Sequence, residues 1–215
     1  LRQVLAESGP LETADAVKLG RFVLRAEQFL LRHDFIHGDL KPENILVLRR
    51  NGEVEFKLID LGSVAEVFSV QGRAGTPSYL APERFAGAPM TERTELFALG
   101  VTLYEALSGK LPYGEIEPFQ KPVFGKVKPL AKLNPLVPAW LEAVISRAIF
   151  EDPASRQETY SEMLFELENP DKVRPFLPPG APLLERDPLT FYKVGFFALL
   201  MVVAVLLACL IALAQ

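Results

Sequence analysis

His37-Gly38-Asp39-Leu40-Lys41-Pro42-Glu43-Asn44, with the run Ile45 to Leu58 behind it and then Asp60-Leu61-Gly62, decides how this chain is read. An acid, a base and an amide stand between two apolar runs, and a second acid returns after the second run. Asn51-Gly52 favours a two-residue type I′ turn, with Ile45 to Leu48 as one strand and Val54, Phe56 and Leu58 alternating along the other. With Asn51 and Gly52 as the loop, Arg50 faces Glu53, and the same register sets Asn44 opposite Ile59 and beside Asp60. An amide oxygen and a carboxylate meeting there, with Asp39 and Lys41 just upstream, suit a hard cation such as Mg²⁺ carrying phosphate oxygens. The other reading of these residues is an ordinary surface hairpin with polar ends.

Outside this stretch, composition narrows the choices. A chain of 215 residues can hold one substantial domain plus a tail, and its 49% hydrophobic content is inflated by an apolar C-terminus. A net charge of −4 with no clustered Lys and Arg argues against nucleic acid as a partner. The one cysteine, Cys209, rules out disulfides within the chain and thiolate metal sites. The chain starts at Leu1 with no secretory signal pattern, which reads as a fragment of a longer polypeptide.

Leu1 to Leu11 is a short apolar piece broken by Gly9-Pro10. Thr13 is the expected cap of a long helix running to about Arg32, with Leu19, Phe22, Val23, Ala26, Phe29 and Leu30 at helical spacing. It delivers the chain to His37, which reads either as a general base or, in this apolar setting, as a packed structural residue. The irregular stretch Ser63 to Arg73 and then Gly75 to Glu83 reads as a functional loop. Thr91 caps a helix that is apolar nearly all round and ends before Gly109, so it should be buried. Lys110 to Pro138 reads as surface loops whose lysines, Lys121, Lys126, Lys128 and Lys132, form a solvated face or a docking patch. Two more helices are expected, Pro138 to Phe150 and about Arg156 to Leu167.

From Asn169 to Pro188 the chain is rich in proline and reads as a semi-rigid linker. Val194 to Ala214 carries no charged residue, which reads as a span of about 30 Å of hydrocarbon rather than a buried core helix. Phe191 and Tyr192 would sit at the interface, and Arg174, Arg186 and Lys193 before the span would leave the folded part cytoplasmic. The expected division is 1–169 as the folded domain, 170–190 as a juxtamembrane linker and 191–214 as the membrane helix.

His37 to Asn44, Asp60-Leu61-Gly62 and Ala81-Pro82-Glu83, in that order, resemble the catalytic loop, the metal-binding DFG element and the APE element of protein kinases. Glu95 to Gly100 resembles the start of the large lobe's central helix, and Asp152-Pro153-Ala154-Ser155-Arg156 its late D-P-x-x-R element. The resemblance covers about Leu1 to Asn169 and implies a mainly α fold with a small β-hairpin, the C-terminal lobe of a kinase. With the expected span, the chain looks like a bacterial membrane-anchored serine/threonine kinase of the inner membrane, including those fused behind a phosphatase domain.

The resemblance implies that Asp39 accepts or orients the proton of the attacking hydroxyl and that Lys41 neutralises the transferred phosphoryl of ATP. It implies that Asn44 and Asp60 hold magnesium. Gly75 to Tyr79, with Thr76, Pro77 and Tyr79, resembles the segment that receives a protein substrate, Thr76 touching Asp39 and Lys41. Glu83 would pair with Arg156, and Glu95 stands where an Asp usually holds the catalytic loop. Gly38 replaces a frequent Arg, which puts switching by loop phosphorylation in doubt, although Ser63, Ser69, Thr76 and Ser78 are candidate sites. No glycine-rich loop or strand lysine precedes Thr13, so the ATP-covering N-terminal lobe is expected upstream and this segment alone is expected to be inactive. Two other readings are a pseudokinase or docking scaffold tethered at a membrane, and a small-molecule phosphotransferase, whose families share His-Gly-Asp but generally lack the Gly-Thr-Pro-x-Tyr-x-Ala-Pro-Glu segment.

Overall fold

Residues 1–50, 52–67, 75–118, 122–177 and 182–213 are described by the structure, a computed structural model. In chain order the elements are α1 (Arg2–Ser8), α2 (Thr13–Leu31), β1 (Phe35–Ile36), β2 (Ile45–Arg50), β3 (Glu53–Leu58), β4 (Ala65–Glu66), α3 (Pro82–Phe85), α4 (Glu92–Ser108), α5 (Ala139–Ala148), α6 (Tyr160–Glu168), α7 (Leu183–Arg186) and α8 (Pro188–Leu213). They fall into two compact units, Leu1–Phe176 and Leu177–Gln215.

The first unit is built around α4. Thr91 caps it through a reciprocal bond with Thr94, Gly109 closes it in the left-handed conformation at φ 68°, and every residue from Thr94 to Leu107 is buried. Helices α2 and α5 pack on it, and α6 packs on α2. Thr13 is the first helical residue of α2 rather than its cap, because Glu12 precedes it and the Thr13 hydroxyl bonds the Leu136 carbonyl instead. The face of α2 that goes inside carries Ala16, Val17, Leu19, Gly20, Val23, Leu24 and Glu27, leaving Phe29 exposed.

β2 and β3 pair antiparallel from Ile45↔Leu58 to Arg50↔Glu53. The Ile59 N–H reaches the Asn44 carbonyl at 2.9 Å, so the register continues to the two residues that precede Asp60 and open β2. Gly52 has φ 82°, and Asn51 lies outside the described residues. A second ribbon, β1 with β4, pairs Phe35↔Glu66 and Ile36↔Ala65; strands of two residues are too short to show alternation. Among its described residues the 110–138 stretch holds one 3₁₀ turn, Leu130–Lys132, yet it is anchored. Tyr113 and Phe124 pack against Phe97 of α4, and the Tyr104 hydroxyl bonds the Lys128 carbonyl at 2.7 Å. Lys126, Lys128 and Lys132 are exposed, and Lys121 lies outside the described residues.

The second unit requires a correction. Residues 188–213 form one helix, but no helix among the described residues is long and apolar enough to cross a membrane. The expectation drew on the whole of Val194 to Ala214, part of which lies outside the described residues. Residue 214 and the side chains at 205, 207–210, 212 and 213 lie outside the described residues, and the first turns of α8 carry Thr190 and Lys193. The transmembrane helix of the expected fold is thus not found among the described residues.

Arg156 ties the first unit together. Its side chain is fully buried and makes a two-pronged pair with Glu83, Nη1 to Oε1 at 2.7 Å and Nη2 to Oε2 at 2.8 Å. It also donates to the carbonyls of Phe150, Arg93 and Glu151 and lies 4.8 Å from the centre of the Phe97 ring. Removing the carboxylate strands a buried guanidinium, so Glu83→Ala is expected to lower the unfolding free energy by about 3–5 kcal/mol. Urea denaturation of the wild type and the variant checks this, and equal midpoints would refute it.

Candidate active site

β1 brings the chain to His37 inside the core. The ring is fully buried, with Nε2 donating to the Ile59 carbonyl at 3.2 Å and Nδ1 accepting the Asp39 N–H at 3.3 Å. Both nitrogens are spent on the main chain, and burial holds the imidazole pKa below its ordinary value against the opposing pull of the Ile59 carbonyl. The next residue turns at φ 82°, and a Cβ on Gly38 would lie 2.7 Å from the Ser63 carbonyl oxygen. An arginine could not take this backbone without strain, which is the local reason for glycine here. The Gly38 N–H donates to Glu95 Oε2 of α4 at 3.2 Å.

This turn presents Asp39 to three partners. Lys41 Nζ lies 2.6 Å from Oδ2, and Asn44 Nδ2 donates to the same oxygen at 3.1 Å and to the Asp39 carbonyl at 2.8 Å. Thr76 reaches Oδ1 twice, through its N–H and its hydroxyl, both at 2.9 Å, while the Thr76 hydroxyl accepts from Lys41 Nζ at 2.6 Å. Burial alone would raise the Asp39 pKa, but Lys41 and Thr76 together outweigh it and hold the carboxyl below its usual range. Asp39 is therefore an ionised acceptor with every oxygen engaged. Pro77–Tyr79 form a 3₁₀ turn directly after Thr76, which carries this loop back to α3.

Asn44, in the 3₁₀ turn Pro42–Asn44, is buried, whereas Asp60 is exposed. Asp60 adopts φ 61° and ψ 68°, a left-handed conformation that Asp tolerates better than most residues, and its Oδ1 accepts the Gly62 N–H at 3.3 Å. Among the described residues no three His, Cys, Asp or Glu side chains converge as a closed metal cage. An amide oxygen and one open carboxylate on adjoining hairpin ends fit Mg²⁺, which takes one or two protein oxygens and fills its shell with phosphates and water.

Residues 1–164 match the family model described as protein kinase domain. The chain belongs to the protein kinase family. Among curated kinases it is similar to the serine/threonine-protein kinase Pkn1 of Myxococcus xanthus, 36% identical over 68% of this chain and 23% of that protein. It is also similar to pkn3 of the same organism, 32% identical over 81% and 35%, and to PrkC of Bacillus subtilis, 28% identical over 76% and 26%. This kinase segment thus spans about a quarter to a third of the curated relatives it matches. In fold it resembles the Cydia pomonella granulovirus kinase PK-1, with TM-score 0.64, 24% identity and coverage of 74% of this chain and 59% of that one.

Within the kinase lobe, Asp39, Lys41, Asn44 and Thr76 are drawn into one network, Glu95 braces it from behind, and Asp60 stands at its edge. Glu83 and Arg156 pair with each other elsewhere. Tyr79 leads to a cluster that pattern reading passed over. Arg2 of α1 contacts Glu43 at 2.6 Å and the Tyr79 hydroxyl at 2.6 Å, and it also pairs with Glu105 of α4, to which Tyr79 donates. Although burial of Arg2 works against its charge, Glu105 and Glu43 raise its pKa, and burial first, then Glu105, raises that of Tyr79. An apolar helix with Glu92, Glu95 and Glu105 in it gives no sign that Glu105 faces a partner over a hundred residues away. At the turn itself, Gly38→Ala combines a positive φ with a close contact and is expected to cost about 1–3 kcal/mol of stability. Urea unfolding checks it, and an unchanged midpoint would show that the turn relaxes freely.

Proposed function

We propose that this segment is the catalytic-loop lobe of a serine/threonine protein kinase that transfers the γ-phosphoryl of ATP to Ser or Thr hydroxyls of protein substrates. One observation carries the reading. Thr76, within the peptide-binding type of segment Gly75 to Tyr79, bonds both Asp39 and Lys41, so the protein-recognition loop and the reacting acid are one unit. A small-molecule phosphotransferase has no use for that loop. The similarity to bacterial serine/threonine kinases supports the same reading.

The chemistry follows from the residues. A substrate hydroxyl takes the place of one Asp39 contact, and Asp39, kept ionised by Lys41 and Thr76, accepts its proton as the oxygen bonds the γ-phosphorus and the bond to the ADP oxygen breaks. Lys41 holds positive charge beside the transferred group, where pre-positioned charge does most of the work of phosphoryl transfer. Asn44, whose NH₂ group is committed to Asp39, offers its amide oxygen with the Asp60 carboxylate to Mg²⁺, which when bound neutralises phosphate charge. The glycine-rich loop and strand lysine that cover a nucleotide are absent from these 215 residues. A lobe of the same polypeptide carrying them is proposed to sit over the face where Leu61 is 61% exposed.

The test uses the longest form of the polypeptide with ATP, Mg²⁺ and a generic protein, with phosphoamino acid analysis of the product. Phosphoserine and phosphothreonine are expected, and Asp39→Asn should lower the rate by about 10²–10⁴-fold. A variant as fast as the wild type, or phosphate found only on small molecules, would refute the kinase reading.

A further inference from the structure

The phosphoryl-transfer chemistry leaves Arg2 without a task, although its guanidinium is bonded to both loops of the site. No residue of α1 is buried, yet Arg2 reaches three other elements at once. Nε donates to Glu43 Oε1 at 2.6 Å, in the turn that leads into the hairpin. Nη1 donates to Glu105 Oε1 of α4 at 2.5 Å, and Nη2 reaches Oε2 of the same carboxylate at 3.3 Å and the Tyr79 hydroxyl at 2.6 Å. Tyr79 in turn donates to Glu105. All three nitrogens of the guanidinium are engaged, in a corner whose two carboxylates and hydroxyl oxygen suit one planar cation. The Glu105 side chain is 9% exposed, whereas those of Arg2 and Glu43 are 40% and 44% exposed, so the corner has a buried wall and an open side. Both walls lead back to Asp39. Glu43 stands between Lys41 and Asn44, which contact the Asp39 carboxylate, and the Tyr79 N–H bonds the carbonyl of Thr76, which contacts it as well. A peptide lying along Gly75 to Tyr79 with its acceptor at Asp39 passes this corner within a few residues, at about 3.3 Å of chain per residue.

We propose that Arg2 is a specificity-determining residue: it fills, from within the chain, the corner where a Lys or Arg of the protein substrate would otherwise bind, so that the kinase does not select a basic residue at that place. This rests on the kinase reading, since a substrate chain is what the corner meets. A side chain held on the same polypeptide competes at an effective concentration of about millimolar, at or above the range of about 1 μM to 1 mM in which substrates half-saturate their enzymes. An incoming Lys or Arg therefore does not displace Arg2. Without Arg2, Glu43 and Glu105 keep two negative charges with no cation between them, and an arginine from the substrate can repeat the contacts that Arg2 makes. The pair with Glu43 is exposed and contributes little. Selectivity rests on Glu105, which is shielded from water and takes the guanidinium on both oxygens.

The experiment takes the full polypeptide as wild type, Arg2→Ala and the double variant Arg2→Ala with Glu105→Gln. The peptides carry one serine among alanines, with a single arginine, or its uncharged analogue citrulline, at each flanking position in turn. Steady-state kinetics give kcat and KM, and fluorescence anisotropy without ATP gives the affinity of each peptide. In the wild type, KM should be the same wherever the arginine stands. In Arg2→Ala, arginine at one position should lower KM and tighten binding about tenfold or more, with kcat unmoved, and citrulline there should give no gain. The double variant should lose most of that gain. If it does not fold, the arginine and citrulline peptides on Arg2→Ala carry the test, and Arg2→Gln replaces Arg2→Ala if alanine is not tolerated. An Arg2→Ala enzyme as indifferent to arginine as the wild type, or one weakened equally toward every peptide, would overturn the proposal and leave Arg2 as an anchor of α1. A gain in binding on Arg2→Ala without phosphate transfer by any form would support the filled corner and refute the kinase reading instead.

Discussion

The carboxylate of Asp39 is the constraint on which the site depends. An ionised acid largely removed from water must be compensated on both oxygens, and here the compensation comes from Lys41 in the same loop, Asn44 at the head of the hairpin, and Thr76 in the following loop. The same bonds that keep the acid charged therefore fix where the hairpin starts and where the 75–80 loop returns. Electrostatics and architecture are one requirement at this point.

Behind the loop, the buried helix α4 serves as the reference frame. It contributes Glu95 to the Gly38 turn and Glu105 to the Arg2 and Tyr79 cluster, two turns and more apart on one helix. A helix with nearly every residue buried can hold such groups without side-chain drift, because dense packing removes alternative rotamers. At its far side Arg156 secures Glu83 and three carbonyls, which pins the end of the loop that Thr76 begins. Arg156 and Arg84, both buried, are held by carboxylate or carbonyl oxygens.

How much of this was legible depends on the range of the interaction. The β2–β3 register followed from Asn51-Gly52 and strand alternation alone, and α4 was bounded by its own cap and its glycine. Local rules worked where local bonds decide. Placement of Arg2, Glu27 and Glu105 was not legible, since each meets partners that are remote in sequence, and Glu27 occupies a core position on a helix whose pattern looks simply amphipathic. The β1–β4 ribbon is too short to carry a period. The C-terminal expectation failed for another reason: it drew on all of Val194 to Ala214, whereas no helix among the described residues is long and apolar enough to cross a membrane. The motifs at Asp39, Asn44 and Asp60 were readable as a family resemblance before any geometry, and the geometry adds which atoms touch.

The claim that one hydroxyl joins the protein-binding loop to the reacting acid can be measured directly at Thr76. In the longest form of the polypeptide, kcat for a protein substrate is compared for wild type, Thr76→Ser and Thr76→Val. Serine retains the hydroxyl that bridges Asp39 and Lys41 and should remain within a few-fold of wild type, whereas valine, of nearly the same shape, should lower kcat about 10–100-fold. A valine variant that matches the wild type would contradict the account.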